Sequence, residues 1–205
     1  PETVAPVVHG DGRNRRAAET RRKIIEAAKL MIAETSEAPT VVGVARRADV
    51  SVRSVFQHFR DVQSLFVTVL DSIRADLVIP EAPASDRPLE ARVDAIVRDL
   101  AGIYDKVVPL KVAAGQFATH PALIERSLDA RRQLREGLFE TFGPEFQALS
   151  EPAREDLVDA ILAALSVDAW TVLRRRDNLS PERAVAVWKL TLSALLAQAI
   201  GAARA

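Results

Sequence analysis

The sequence has 205 residues, with 28 Lys and Arg, 28 Asp and Glu, and no Cys, so its formal net charge is zero. The lack of cysteine excludes disulfides, thiolate zinc sites and cysteine nucleophiles, and a composition that is 48% apolar and 27% charged excludes a disordered chain. No run approaches the roughly 18 uninterrupted apolar residues of a spanning helix, and residues 1–16 lack the apolar core of a secretory signal, so we expect a cytoplasmic protein with no membrane partner.

The first predicted elements are an arm and two helices. Residues 1–16 show no apolar period and predict a mobile basic arm. A helical period begins at Ala17 and stops at residues 36–39. Thr40 then caps a short second helix. The inward positions of these two helices are Ile24, Ile25, Ala28, Met31 and Ile32, followed by Val41, Val44, Ala45 and Ala48.

A third, very short helix follows a break at Asp49 and Val50, with Ser51 as its N-cap. Its first turn is expected to be exposed, whereas the core is expected to hold the side chains of Val55, Phe56, Phe59 and, from the next helix, Phe66. The helix-turn-helix domain is therefore predicted to span residues 17–60.

The fourth helix is predicted to connect two units. Asp61 caps it, and an apolar stripe from Leu65 to Leu77 runs through residues 61–78. Residues 79–88 are rich in proline and predict a linker. The remaining helices are expected at 89–106, 110–119, 121–141, 151–176 and 181–203, all within a second domain of residues 89–205. Since no strand pattern occurs, the predicted fold class is all-α.

Charge is segregated along the chain. Residues 13–60 contain eleven Lys or Arg and five acids, a net charge of +6, so the other 157 residues carry −6. A basic segment joined to an acidic body is typical of a phosphate-binding module attached to a domain that does not bind nucleic acid. A solvated helical face gives the same pattern, so charge alone leaves both interpretations open.

The spacing of the first three helices indicates a helix-turn-helix whose third helix lies in the major groove of DNA. There Arg53 would donate to a guanine, Ser54 would reach a base or a phosphate, and Val52 would contact a thymine methyl group. The phosphate backbone would be held by the side chains of Arg46, Arg47, His58 and Arg60.

These residues resemble the DNA-binding region of the TetR family of transcriptional regulators. The resemblance covers residues 20–78 and rests on the segments "IIEAAKLMIAE", "TVVGVARRADVS", "SVRSVFQHF" and "DVQSLFVTVL". The chain departs from the family pattern in the turn, where Asp49 replaces the usual Gly, and at the start of the fourth helix, where Val62 replaces the usual Lys. Phe56 stands where Tyr is common. The resemblance also adds Val41 and Val42 as base contacts, with Thr40 and Phe56 on the phosphate side.

By the same resemblance, the chain would be a homodimer that binds a near-palindromic operator, most simply as a repressor released by a small-molecule effector. The last two long helices would form the dimer interface, and the helices before them would enclose the effector. The expected effector-binding residues are Tyr104, Gln116, Phe117, His120, Asp168 and Trp170. Each is also explained by ordinary packing, and for Asp168 we favour an ion pair with Arg131 or Arg132.

The sequence offers no support for an enzyme. It has no glycine-rich phosphate loop, no HExxH motif, no nucleophile elbow and only three scattered histidines, so we expect no catalysis, no metal and no cofactor. One other class stays open, a helical homodimeric interaction module whose helix-turn-helix contacts protein and not DNA.

Overall fold

A computed structural model describes the backbone of residues 11–203 and, within that range, every side chain except those of residues 11, 116, 202 and 203. Throughout these residues the chain is helical or irregular and has no strand, which confirms the predicted all-α class. The helices are α1 (Asp11–Thr35), α2 (Val41–Arg47), α3 (Val52–His58), α4 (Val62–Asp76), α5 (Leu89–Ala113), α6 (Pro121–Gln147), α7 (Glu151–Ala164), α8 (Val167–Thr171) and α9 (Pro181–Ala203).

The chain divides into two compact units. The first ends at Asp76 and also takes in Pro109–His120, while the second comprises Leu77–Val108 and the chain from Pro121 onward. The predicted boundaries differ in two places, because α4 packs with the first unit and residues 109–120, expected in the second domain, do so as well. The cause is apolar contact: the ring of Phe117 lies 5.3 Å from that of Phe66 on α4.

Helix α1 begins earlier than the sequence predicts. Residues 11–16 of the expected mobile arm are helical, and the rest of that arm, residues 1–10, lies outside the described residues. Local contacts account for the extension, since Arg16 Nε donates to the carbonyl oxygen of Gly12 (3.1 Å) and Arg22 pairs with Glu19 (2.7 Å). Further along α1, Ile24, Ala28 and Ile32 face the core as expected.

Two predicted breaks are absent. Helix α5 continues through Pro109, although proline in a helix interior costs about 3 kcal/mol. The neighbouring Val108 and Leu110 are buried, and burial of two such side chains is worth about 1.5–3 kcal/mol each, which offsets that cost. Helix α6 likewise continues past the expected end at Gly143 and Pro144, with a kink at Phe142 where φ is −115° and ψ is 22°.

A buried ion pair holds the kink of α6. The guanidinium of Arg92 donates to the carbonyl oxygen of Thr141 (2.8 Å) and binds both carboxylate oxygens of Glu145 (2.8 and 2.6 Å). Arg92 also donates to the carbonyl oxygen of Arg87 (2.8 Å) and lies over the ring of Phe142. Arg92 is only 4% exposed, and these contacts compensate its buried charge.

The predicted helix at 151–176 is divided. Helix α7 ends at Ala164, and Ser166 starts α8 by accepting a hydrogen bond from the amide of Ala169 (3.1 Å). A π-helical turn, Val172–Arg176, follows α8. A serine that competes for backbone donors therefore ends one helix and begins the next.

Helix α9 begins at Pro181 as predicted. Its segment Pro181–Gly201 is long and apolar enough, by length and composition alone, to cross a membrane, which is weak evidence by itself. One face of the segment instead packs into the core of the second unit, where its buried residues are Ala184, Trp188, Leu192 and Leu196.

Candidate nucleic-acid interface

Side-chain caps fix the beginnings of the three helices that surround the candidate interface. The hydroxyl of Thr40 accepts from the amide of Gly43 (3.1 Å), and that of Ser51 accepts from the amide of Ser54 (3.0 Å). Asp61 accepts from both the amide and the hydroxyl of Ser64 (2.7 Å each), and these hydrogen bonds lower the pKa of the Asp61 carboxyl. All three caps agree with the prediction from the sequence.

The turn between α2 and α3 is a Schellman motif with aspartate at the left-handed position. Asp49 has φ of 54°, its amide donates to the carbonyl oxygen of Arg46 (3.3 Å), and the amide of Val50 donates to that of Ala45 (3.0 Å). Asp49 thus adopts the conformation that glycine usually supplies, as expected from the sequence. The motif ends α2 sharply and sets the direction in which α3 begins.

Helix α3 turns one face inward and leaves the other exposed. Val55 and Phe59, four residues apart, are almost fully buried. Phe56 was expected beside them but is 53% exposed, so that expectation is wrong. Because each residue advances by about 100° around a helix, Phe56 falls on the outer face together with Val52, which is 39% exposed.

The residues predicted to contact bases differ in exposure. Val42 of α2 is 57% exposed, and Val52 and Arg53 are exposed on the outer face of α3. Val41 and Ser54 are half-buried, and the hydroxyl of Ser51 donates to that of Ser54 (3.2 Å), next to the N-terminus of α3.

The residues predicted to contact phosphates include free and engaged cations. Within the described part of the chain, Arg46 and Arg60 form no salt bridge and are exposed. Arg47 instead forms a bidentate pair with Glu34 of α1 (2.7 and 2.6 Å), so a phosphate would have to compete for it. Thr40 is exposed and His58 half-buried. The exposed ring of Phe56 has no group that donates a hydrogen bond to a phosphate.

Two further residues of this surface were not predicted. Gln57 is exposed on α3 and lies four residues after Arg53, so the two side chains share a face. Helical periodicity alone would have found it. Arg21 of α1 lies over the ring of Phe59, with its guanidinium carbon 5.0 Å from the ring centre. Nothing in the sequence links these two positions, because the contact exists only after the helices pack.

The six residues predicted to bind an effector are divided between the two units. The first unit contains Gln116, Phe117 and His120, and the second contains Tyr104, Asp168 and Trp170. Trp170 is fully buried, with its ring centre 4.5 Å from that of Trp188. Arg131 and Arg132, suggested as partners of Asp168, pair with Asp159 and Asp129.

A polar network borders the aromatic core of the second unit. A single carboxylate oxygen of Asp105 accepts from Trp170 Nε1 (2.9 Å) and from Arg174 Nε (3.0 Å). The ring of Tyr104 stands edge-on to that of Trp188, with centres 5.8 Å apart. Burial, together with the charge of Asp168, raises the pKa of Tyr104 to about 12. A ligand that entered here would have to separate these rings.

Two open grooves lie on the second unit. Their volumes are about 420 and 520 Å³, and the first runs along Asp94 and Lys189 and the second along Arg135 and Phe139. Neither is lined by a predicted effector residue. Among the described residues, no group of three or more His, Asp or Glu is arranged to hold a metal ion.

Comparison with known proteins gives a likeness to solved structures. No family model matches the chain, and no curated protein matches it. Among solved structures, the chain is similar to a transcriptional regulator from Rhodococcus sp. Rha1, with a TM-score of 0.64 and 19% sequence identity. The match covers 89% of this chain and 96% of that chain. At this identity the likeness establishes a shared fold.

Proposed function

We propose that this protein is a sequence-specific, DNA-binding transcriptional regulator of the cytoplasm, without enzymatic activity or a membrane partner. The observation that carries the proposal is the outer face of α3, the helix that follows the turn at Asp49. On this face the side chains of Val52, Arg53 and Gln57 are exposed. The shared fold with a transcriptional regulator and the resemblance of residues 20–78 to the TetR family support the same function.

The exposed side chains of α3 match the chemistry of base edges in the major groove. Arg53 would donate twice to a guanine, Gln57 would bind an adenine, and Val52 would contact a thymine methyl group. Val41, Val42 and Ser54 would complete the base contacts. Thr40, Arg46, Arg47, His58 and Arg60 would hold the phosphates, with the ring of Phe56 packed against sugar atoms.

We further propose that two copies of the chain bind DNA together. On α9, opposite the buried face, exposed positions repeat at a helical spacing and are small or apolar: Ala186, Leu190, Ala194, Ala197 and Gly201. Such a face allows close approach of a second helix, and Leu190 is 73% exposed. A twofold dimer would place two copies of α3 about 34–36 Å apart, one turn of DNA, and would require a near-palindromic operator.

The proposed regulation is repression released by a small molecule. The effector would bind in the second unit near Tyr104, Asp168 and Trp170. The other three predicted contacts, Gln116, Phe117 and His120, belong to the first unit. A ligand that binds a non-operator spacing of the dimer more tightly by about 3 kcal/mol would change operator occupancy by more than a hundredfold.

The test of DNA reading is the variant Arg53→Ala, with Arg98→Ala as the matched control. Arg98 is an exposed arginine of the second unit, so its removal changes the charge equally. We expect Arg53→Ala to weaken operator binding by about 1–3 kcal/mol and to relax the preference at one base pair, whereas Arg98→Ala leaves both unchanged.

Salt dependence separates DNA binding from a protein-contact role. The affinity of wild-type protein for duplex DNA is expected to fall steeply with added salt, because phosphate contacts release counterions. The proposal would be contradicted, and a protein partner favoured, if Arg53→Ala kept the base preference of wild-type protein or if the affinity for DNA did not change with salt.

A further inference from the structure

The first turns of α1 form a basic overhang, which we define as residues 13–19. All seven residues are exposed, although their backbone is helical, and burial in α1 begins only at Ile24. Its side-chain contacts given by the structure are with neighbours in α1, where Arg16 donates to the carbonyl oxygen of Gly12 and Glu19 pairs with Arg22. The overhang extends α1 beyond the buried part of the helix, so its side chains are available to a binding partner.

Charge indicates what that surface is. The overhang contains Arg13, Arg15 and Arg16 against a single acid, Glu19, and Glu19 is already paired with Arg22 (2.7 Å). Within the described part of the chain, Arg13 and Arg15 form no salt bridge. Three arginines within four residues carry more positive charge than Glu19 offsets, which is complementary to a phosphate backbone and unfavourable to a basic or apolar partner.

A contact near the overhang joins α1 to the end of α3. Arg21, two residues beyond the overhang, lies over Phe59 at the end of α3, and Arg60 follows directly. With a rise of 1.5 Å per residue, Arg13 lies about 12 Å from Arg21 along the axis of α1, a reach comparable with three to four base-pair steps.

We propose that the basic overhang binds phosphates of the duplex that flank the base pairs read by α3, and so enlarges the DNA site of each protomer. The proposal rests on the proposed DNA-binding function. It adds a second contact surface, which carries affinity without base preference.

The test compares wild-type protein with the triple variant Arg13→Gln, Arg15→Gln and Arg16→Gln on two duplexes. One duplex ends at the outermost base pairs of the selected operator, and the other carries ten further base pairs on each side. On the long duplex, the slope of log K against log salt should be shallower for the variant by about 0.9 for each phosphate that the variant no longer neutralises. Low-salt affinity should fall at least tenfold. On the short duplex the two proteins should bind alike.

The charge control is the variant Arg98→Gln, Arg132→Gln and Arg176→Gln, which removes the same charge from exposed arginines of the second unit that pair with neighbouring carboxylates. It should keep the wild-type slope. Circular dichroism and the sequence preference of the triple variant should be unchanged, since glutamine favours helices and the overhang reads no base.

Two results would overturn the proposal. The first is an unchanged slope for the triple variant on the long duplex, and the second is an equal loss of slope in the control, which would indicate long-range attraction in place of contact. In either case the proposed function would stand if Arg53→Ala still weakened operator binding and relaxed the preference at one base pair. If wild-type protein selects no duplex at all, both the function and this contact are refuted.

Discussion

At the scale of single residues, Val52 gives a chemical test of base reading. Its side chain is exposed on the first turn of α3, where a thymine methyl group is its natural partner. Deoxyuridine lacks only that methyl group. Replacing the half-site thymines by deoxyuridine is expected to weaken wild-type binding by about 0.8 kcal/mol, or about fourfold, for each methyl group that Val52 touches.

The variant Val52→Ala supplies the control for this measurement. It should bind thymine and deoxyuridine duplexes with nearly equal affinity, as measured by fluorescence anisotropy. If wild-type protein bound the two duplexes equally, Val52 would not contact a thymine methyl group.

Tyr104 is the only tyrosine in the sequence, so tyrosinate absorbance reports on it alone. Burial and the charge of Asp168 raise its pKa from 10.0 to about 12. An acid whose pKa is raised in the folded state contributes stability below its unfolded pKa and loses that contribution as pH rises through the folded value. We therefore expect a titration midpoint near pH 12, with stability falling above pH 10.

The variant Tyr104→Phe should abolish the absorbance change and flatten the alkaline loss of stability. A midpoint near the ordinary pKa of 10.0, while circular dichroism still shows a folded protein, would show that the phenol is solvated and that the rings around it are not closed.

Phe56 shows why some single residues could not be predicted. The sequence offers Val55, Phe56 and Phe59 as inward candidates, and in a helix of seven residues an error of one position changes the face. The orientation of α3 is set by the backbone bonds of the Asp49 turn and by burial of Val55 and Phe59. The burial of Val55 and Phe59 decided against Phe56, whereas the N-caps at Thr40, Ser51 and Asp61 were predictable because their bonds are local.

At the scale of elements, the ion pair between Arg92 and Glu145 joins the start of α5 to the kinked end of α6. The side chain of Arg92 is 5% exposed and that of Glu145 is 13% exposed. Removing one partner leaves a buried charge without compensation, so Arg92→Met is expected to reduce the free energy of unfolding by about 3–5 kcal/mol in urea titrations.

The double variant Arg92→Met, Glu145→Leu should recover much of that loss, because two apolar side chains leave no charge behind. A single variant as stable as wild type would show that water reaches the pair.

The same pair predicts an acid dependence of stability. Hydrogen bonds from Arg92 lower the pKa of Glu145 below its ordinary value of 4.5. A carboxyl whose pKa is lowered on folding contributes stability above its unfolded pKa and loses it as pH falls through the folded value. Unfolding measured from neutral to acid pH should therefore show a steeper loss of stability in wild type than in Glu145→Gln, with the difference arising below pH 4.5.

Helix ends were predictable where a cap or a proline acts locally, and less so where packing prevails. The start of α9 at Pro181 was correct, since Ser180, Pro181 and Glu182 are all favourable at a helix N-terminus. Pro109 and Pro144 were expected to end helices, yet both lie inside them. The sequence shows only the local cost of a proline inside a helix. Burial of the residues beside Pro109 and the hydrogen bonds of Arg92 beside Pro144 offset that cost.

At the scale of the whole molecule, the chain forms two compact units, and charge and spacing in the sequence had predicted a basic segment followed by a larger helical region. That residues 109–120 belong to the first unit could not be predicted, because their contact with Phe66 joins segments far apart in sequence. The predicted effector residues are likewise shared by the two units, since residue type and order along the chain were the only basis for grouping them. Their role therefore stays a prediction.

The central claim is that the exposed face of α3 reads DNA sequence in pairs related by a twofold axis. Selection of bound duplexes from a random pool, with wild-type protein and Arg53→Ala in parallel, tests it most directly. We predict that wild type enriches a near-palindrome with half-sites about one helical turn apart, and that Arg53→Ala loses preference at one position of each half-site. No enrichment over the starting pool by wild-type protein would contradict the claim.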